Sequence, residues 1–195
     1  MGNIQSVFKK IQMLGYDCEV SHKSHEILAA DKIVLPGVGH FGMAMDQLQK
    51  MDLIAPLHEA VLIQKKPVLG ICLGMQLMAD SSEEGDVAGL GWISGQVKRF
   101  QIQDKKNYKV PHIGWNQIEI QKPSKLMHQI ALHSEFYFVH VYHYQCKEEQ
   151  DVLNRTSYEN KFVSAIEKDH VFGVQYHPEK SHQTGMQLFK NFLAL

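Results

Sequence analysis

The sequence predicts an α/β fold: a mostly parallel central sheet flanked by helices, with a smaller antiparallel element. Three observations carry this. Up to Gly89, helix-like stretches alternate with short apolar runs. Those runs, "IVL" at 33–35 and "VLGI" at 68–71, are continuous rather than alternating, as in parallel strands covered on both faces. Beyond Gly89 the texture changes to short β-rich runs separated by turns.

The chain opens with Ile4, Val7, Phe8, Ile11 and Leu14 at helical spacing, and Gly15 follows as a stop. "DCEV" at 17–20 reads as a short strand. "DKIVLPG" reads as a better one that ends in Pro-Gly. "FGMAMDQLQKM" and "LIAPLHEAVLIQ" supply helix before the strand "KPVLGI". In the second half, "WISGQVKRF", "NQIEI", "EFYFVHVYHYQC", "FVSAIE" and "VFGVQY" are strand candidates. A last amphipathic stretch, "GMQLFKNFLAL", puts Met186, Phe189 and Leu193 on one stripe and closes the chain with a helix. There is no internal repeat or linker, so one domain over 1–195 is expected.

Composition narrows the function. Twenty Lys and Arg against 21 Asp and Glu leave a formal charge of -1, so no global field favours nucleic acid or an anionic membrane. A basic stripe with interleaved aromatics is also lacking, and "VKRFQIQDKKNYK" reads as a solvated hairpin or part of a partner-facing surface. The three cysteines, Cys18, Cys72 and Cys146, are far apart with no CxxC spacing, which fits a reducing compartment and a cytoplasmic protein. No apolar stretch reaches the roughly 18 residues of a membrane span, and no secretory signal is visible.

Chemistry concentrates in "VLGICLGMQ" at 68–76. An apolar strand breaks at a cysteine and resumes as helix, the arrangement of a nucleophile elbow. Gly70 and Gly74 permit close backbone approach. The positive end of the following helix favours a thiolate at Cys72, and the Leu73 N–H is placed to hold an oxyanion. The plainer alternative is a small buried hydrophobe at a strand-helix junction. A base is available in "FGVQYHPEKS": His177 follows an apolar strand, Pro178 ends it, and Glu179 can orient the imidazole. The turn "VLPGVGHFG" at 34–42 offers consecutive backbone N–H groups, a second source of oxyanion donors if it is more than an ordinary glycine-rich turn.

These pieces, in this order, resemble the class I (triad) glutamine amidotransferases, and within them the glutaminase subunits of imidazole glycerol phosphate synthase. "GNIQSV", "SSEEGDVAGLG", "VPHIGWN" and "YFVH" extend the resemblance over essentially the whole chain. It implies that Cys72 attacks the side-chain amide of glutamine, that His177 moves the protons and that Glu179 holds His177. Val38, Gly39 and Leu73 match oxyanion elements. Gln76 and Glu84 match substrate-gripping positions, with the backbone of Val141 and Tyr142 alongside. A (β/α)8-barrel cyclase is the implied heterodimeric partner, with Asn3, His112, Trp115, Tyr137 and Lys180 at or near the interface. No cofactor and no metal are implied.

The sequence departs from that pattern in places. Family members begin with a short apolar strand, normally interior, that is missing before Gly2 here. Val141 replaces a small hydroxyl residue and Tyr176 a phenylalanine. "EKSHQTGMQLF" leans toward paralogues that donate ammonia to a sugar through a similar barrel, and an inactive interaction subunit is a further alternative. A metal site at His140, His143 and Cys146 is disfavoured, because a continuous strand would point His143 away from the other two.

Overall fold

A computed structural model of the chain describes residues 4–195. Helix α1 (Ile4–Met13) buries Val7 and Ile11, and Gly15 ends it at a φ of 80° that favours glycine. Helix α2 (Ser24–Ala29) is followed by strand β1 (Ile33–Gly37) and helix α3 (Phe41–Lys50). Helix α4 (Ile54–His58) continues as a π-helical turn over Glu59–Ile63 and leads to strand β2 (Val68–Cys72). A single short helix, α5 (Leu73–Gln76), starts at once from the end of β2.

The remaining elements are mostly strands. They are β3 (Ser81–Ser82), β4 (Val87–Ala88), β5 (Gly95–Arg99), β6 (His112–Gln117), β7 (Glu119–Ile120), β8 (Glu135–His140), β9 (Tyr142–Cys146), β10 (Val152–Tyr158), β11 (Asn160–Lys168) and β12 (Val171–Val174). Helix α6 (His182–Leu193) closes the chain and buries Phe189 and Leu193, with Met186 half-buried.

The large sheet is mixed, in the order β1-β2-β12-β11-β9-β5-β3-β4, with β10 and β7 joined through β11. It is parallel across β1, β2 and β12, and antiparallel from β12 through β11 and β9 to β5. Strands β6 and β8 form a separate antiparallel pair. In β2, Leu69 and Ile71 face a cluster that includes Ile11, Phe189 and Phe192, whereas Val68 faces one that includes Phe41, Leu57 and Met75. Both faces are therefore covered, which is why this strand reads as an unbroken apolar run.

Three sequence expectations change. Residues 17–20 form no strand. A strand needs a hydrogen-bonding neighbour, and β1 has only β2 beside it among the described residues. β1 is accordingly half-buried throughout while β2 is fully buried. The run 135–146 is not one strand: it breaks at Val141 into β8 and β9, so alternation does not carry across it. His140 and His143 both pack on Phe100, with ring centroids 5.1 and 4.8 Å away. Among the described residues no three His, Cys, Asp or Glu side chains are grouped to hold a metal. Finally, the basic run after β5 is a turn-rich loop rather than a hairpin, with Phe100 buried at its start.

Candidate active site

Cys72 sits at the break with φ 54° and ψ -110°, a conformation that strains any residue with a Cβ, by roughly 1–3 kcal/mol. Such an outlier persists only where the surroundings enforce it. Here they do: α5 lies directly on the sheet. A Cβ at Gly74 would stand 1.7 Å from the Leu35 carbonyl oxygen, and one at Gly70 would stand 2.7 Å from the backbone of Gly74. A Cβ at Gly173 on the neighbouring strand would meet Met75 at 2.7 Å. The two glycines around Cys72 are thus required by contact, and the elbow read from the sequence is present.

β12 runs parallel beside β2, with Val174 opposite Ile71, so the chain beyond β12 passes next to Cys72. His177 lies there, and its Nδ1 is 2.8 Å from Glu179 Oε1, both side chains fully buried. Cys72 also acts on the imidazole electrostatically. Burial works to lower the His177 pKa, but the interactions with Cys72 and then Glu179 outweigh it and raise the value to about 9. The site is therefore disposed to hold an imidazolium at neutral pH. His177 is anchored from behind: its backbone N–H donates to the Tyr137 carbonyl at 2.8 Å. Ser181 Oγ donates to the His177 carbonyl at 2.6 Å and accepts from the Tyr137 N–H at 3.0 Å.

The glycine turn lies on the other side of the elbow. Gly37 is paired with Cys72, and a Cβ on Gly37 would be 3.0 Å from Leu73 Cβ. Val38 is exposed and Gly39 takes a φ of 114°, open only to glycine. Glu84 reaches this turn from the 83–86 loop and accepts the Phe41 N–H at 2.7 Å, at the start of α3. Val38, Gly39, Leu73 and Glu84 are thus gathered on one side of the thiol.

Gln76 is buried, and its Nε2 donates both to the Tyr142 carbonyl at 3.1 Å and to Gln175 Oε1 at 2.9 Å. The Val141 carbonyl accepts from the Phe100 N–H at 3.1 Å. His140 Nδ1 meets the same Tyr142 carbonyl at 2.8 Å, and its Nε2 is 2.9 Å from His112 Nδ1. Burial holds both histidines neutral, His112 near a pKa of about 4 and His140 well below its usual range. The sequence reading considered His140 only as a disfavoured metal ligand and did not single out Gln175. Gln175 stood in the quoted "FGVQYHPEKS", two places before His177.

Of the residues expected at a partner face, Trp115, at 45% exposure, and Lys180 are exposed, and Tyr137 is half-buried. Lys180 Nζ lies 5.3 Å from the Tyr137 ring centroid, and Trp115 stacks on His182 at 4.9 Å. His112 is buried, stacked between Phe138 and Tyr158. Asn3 lies outside the described residues. Burial pushes the Cys146 thiol up to about 12 and also raises Cys18, so neither is an activated nucleophile. The extra hydroxyl of Tyr176 is accommodated by Asn154 Nδ2, which donates to it at 3.0 Å.

Known proteins resemble this chain over its whole length. The family pattern for glutamine amidotransferase class-I matches residues 1–195. The chain is 43% identical over 193 residues to the imidazole glycerol phosphate synthase subunit HisH 2 of Methanococcus maripaludis, covering 99% of this chain and 95% of that protein. It is 45% identical over 195 residues to the subunit HisH 2 of Pseudomonas aeruginosa and to HisH 1 of Campylobacter jejuni, covering 100% of this chain and 96% of each. A crystal structure of a glutamine amidotransferase superimposes with a TM-score of 0.75 at 15% identity, covering 99% of this chain and 93% of the other. A glutamine amidotransferase from Thermotoga maritima does so with a TM-score of 0.61 at 17% identity, covering 99% of this chain and 76% of the other. At such identities the structural likeness speaks to the fold alone.

Proposed function

The chain belongs to the class I glutamine amidotransferases, and from that premise we propose that it hydrolyses glutamine at Cys72, His177 and Glu179 and hands the ammonia to a (β/α)8-barrel cyclase in histidine biosynthesis. The observation that carries the reading is the strained Cys72 elbow set against the buried His177–Glu179 pair.

The reaction follows from the geometry. The sulfur of Cys72, as thiolate, attacks the amide carbon of glutamine, and the carbonyl oxygen takes the charge. N–H groups of Leu73 and of the Val38–Gly39 turn hold that oxygen. His177, poised as the imidazolium, gives its proton to the departing nitrogen, the C–N bond breaks, and ammonia leaves a glutamyl thioester. Neutral His177 then takes a proton from water as the water attacks. The C–S bond breaks, glutamate is released and the ion pair is restored. Glu179 keeps Nδ1 protonated, so the other nitrogen faces the sulfur. Gln76 commits its Nε2 to protein partners and offers its Oε1 to the substrate, with Glu84 and the segment Val141–Tyr142 nearby. No cofactor enters these steps.

Ammonia freed into neutral water is mostly protonated and no longer nucleophilic, so its use requires a partner docked over the exit. We assign that role to the exposed surface of Trp115, Tyr137 and Lys180, with 1–195 acting as one domain in the cytoplasm. Among the described residues no helix is long and apolar enough to cross a membrane. Cys72 is only 7% exposed and His177 is fully covered, so access requires movement of the cover, and the exposed Val38 turn is the piece with room to move. Activity is then weak in the isolated chain and rises when the barrel binds its own ligand. The stretch "EKSHQTGMQLF" keeps a second acceptor in view, a sugar amidated through a similar barrel.

The test is glutamate release by the chain alone and with each candidate barrel, with and without that barrel's ligand. Stimulation by the histidine-pathway cyclase supports the reading. Stimulation by a sugar-amidating barrel alone moves the acceptor, and release unaffected by any barrel refutes the coupling.

A further inference from the structure

We infer that Gln175 is a catalytic residue of this site: its side-chain amide N–H holds the sulfur of Cys72 before attack and receives it again when the thioester collapses. The inference rests on the glutaminase reading and adds to it a third group in contact with the reacting atom, beside His177 and the elbow itself.

Gln175 directly follows β12 and is fully buried. Because Val174 is paired with Ile71, the next residues on the two strands, Gln175 and Cys72, fall side by side. The Gln175 Nε2 is 3.7 Å from Cys72 Sγ, within range of an N–H···S hydrogen bond. The backbone is pinned as well, its N–H donating to the Ser164 carbonyl at 2.9 Å.

Which end of the amide faces the sulfur follows from the surrounding network. The Tyr142 carbonyl is a backbone acceptor and has no alternative role. The Gln76 atom 3.1 Å from it must therefore be the amide nitrogen. That nitrogen spends its other hydrogen on Gln175 at 2.9 Å, so the Gln175 atom facing it must be the oxygen. The amino end of Gln175 is left to point at Cys72. His140, which donates to the same Tyr142 carbonyl at 2.8 Å, fixes the start of the chain a second time.

A carboxamide donor discriminates between the forms of sulfur. It bonds strongly to a thiolate and weakly to a thiol or thioether. It therefore favours the ion pair with His177 in the resting site. It loosens when the C–S bond forms, and it tightens when that bond breaks and the electron pair returns to sulfur. Both the resting nucleophile and the leaving group of the second step gain from it.

The test is alkylation of Cys72 by iodoacetamide across pH in the full chain, together with glutamate release in the presence of the barrel partner. Gln175→Glu keeps the shape and the acceptor for Gln76 but removes the donor. Gln175→Met removes both and keeps the volume. At neutral pH we expect alkylation to slow by about tenfold in each. kcat should fall by more than KM rises. If a variant melts early, the native chain still answers: in NMR spectra the Gln175 side-chain amide must shift when Cys72 is alkylated, and an unmoved signal overturns the inference. A reactive wild-type Cys72 with unaltered profiles in both folded variants overturns the role of Gln175 alone. A wild-type Cys72 that alkylates no faster than Cys18 and releases no glutamate overturns the glutaminase reading with it.

Discussion

Replacing Glu179 by glutamine preserves the shape and an acceptor for His177 Nδ1 but deletes the buried countercharge 2.8 Å away. The His177 value rises from 6.5 to about 9 in spite of burial. That net rise corresponds to about 3 kcal/mol of preference for the imidazolium. Cys72 is the larger contributor and Glu179 the next, so losing Glu179 should lower the value by about one to two units. The imidazolium is the acid that protonates departing ammonia, so wild-type activity should fall on the alkaline side near pH 9. In Glu179→Gln that limb should move down by about one to two pH units, with kcat reduced by about two- to tenfold at pH 8. The assay is glutamate release from pH 6 to 10 with the barrel partner present. The same pairing affects stability. A folded value above the unfolded one stabilises fully below about pH 6.5, and the gain is lost as pH rises through about 9. An alkaline limb that stays near pH 9 in the variant would refute the assignment of Glu179 as the countercharge.

Other consequences follow from the same geometry. Gly74→Ala drives a methyl group to 1.7 Å from the Leu35 carbonyl oxygen, a backbone atom that cannot swing aside, and should destabilise by at least about 3 kcal/mol in a denaturant titration. At Cys72 the usual order of helix and strand preference should invert. With φ at 54°, Cys72→Gly should be about 1 kcal/mol more stable than Cys72→Ala, and both should be inactive. Trp115→Ala removes an exposed ring and should leave the melting midpoint of the isolated chain within about 2 °C while weakening the barrel complex about tenfold or more by titration calorimetry.

The legible parts of this molecule were the ones written locally. "GICLG" announced the elbow because each glycine answers a contact within a few residues or one strand away, and "YHPE" announced the His177–Glu179 pair because two residues of separation suffice to close it. What depended on distant neighbours was not legible. Residues 17–20 look strand-like but have no partner strand among the described residues. The break at Val141 leaves no mark in a run that is apolar and aromatic on both sides, yet it turns His140 and His143 onto the same ring of Phe100. Helix α2 is only 6 residues long, too short for a periodic signal. His112 fits a family position near an interface, but Phe138 and Tyr158 enclose it. Gln175 required the pairing of β12 with β2 and the orientation of two other side chains before its contact with sulfur could be seen.

The most direct measurement of the central claim is rapid quenching of the chain with labelled glutamine and its barrel partner, followed by mass analysis of the Cys72 peptide. The account predicts one glutamyl group in thioester linkage on Cys72, absent from Cys72→Ala. Turnover of glutamine with no covalent label on Cys72, or a label that persists elsewhere in Cys72→Ala, would contradict it.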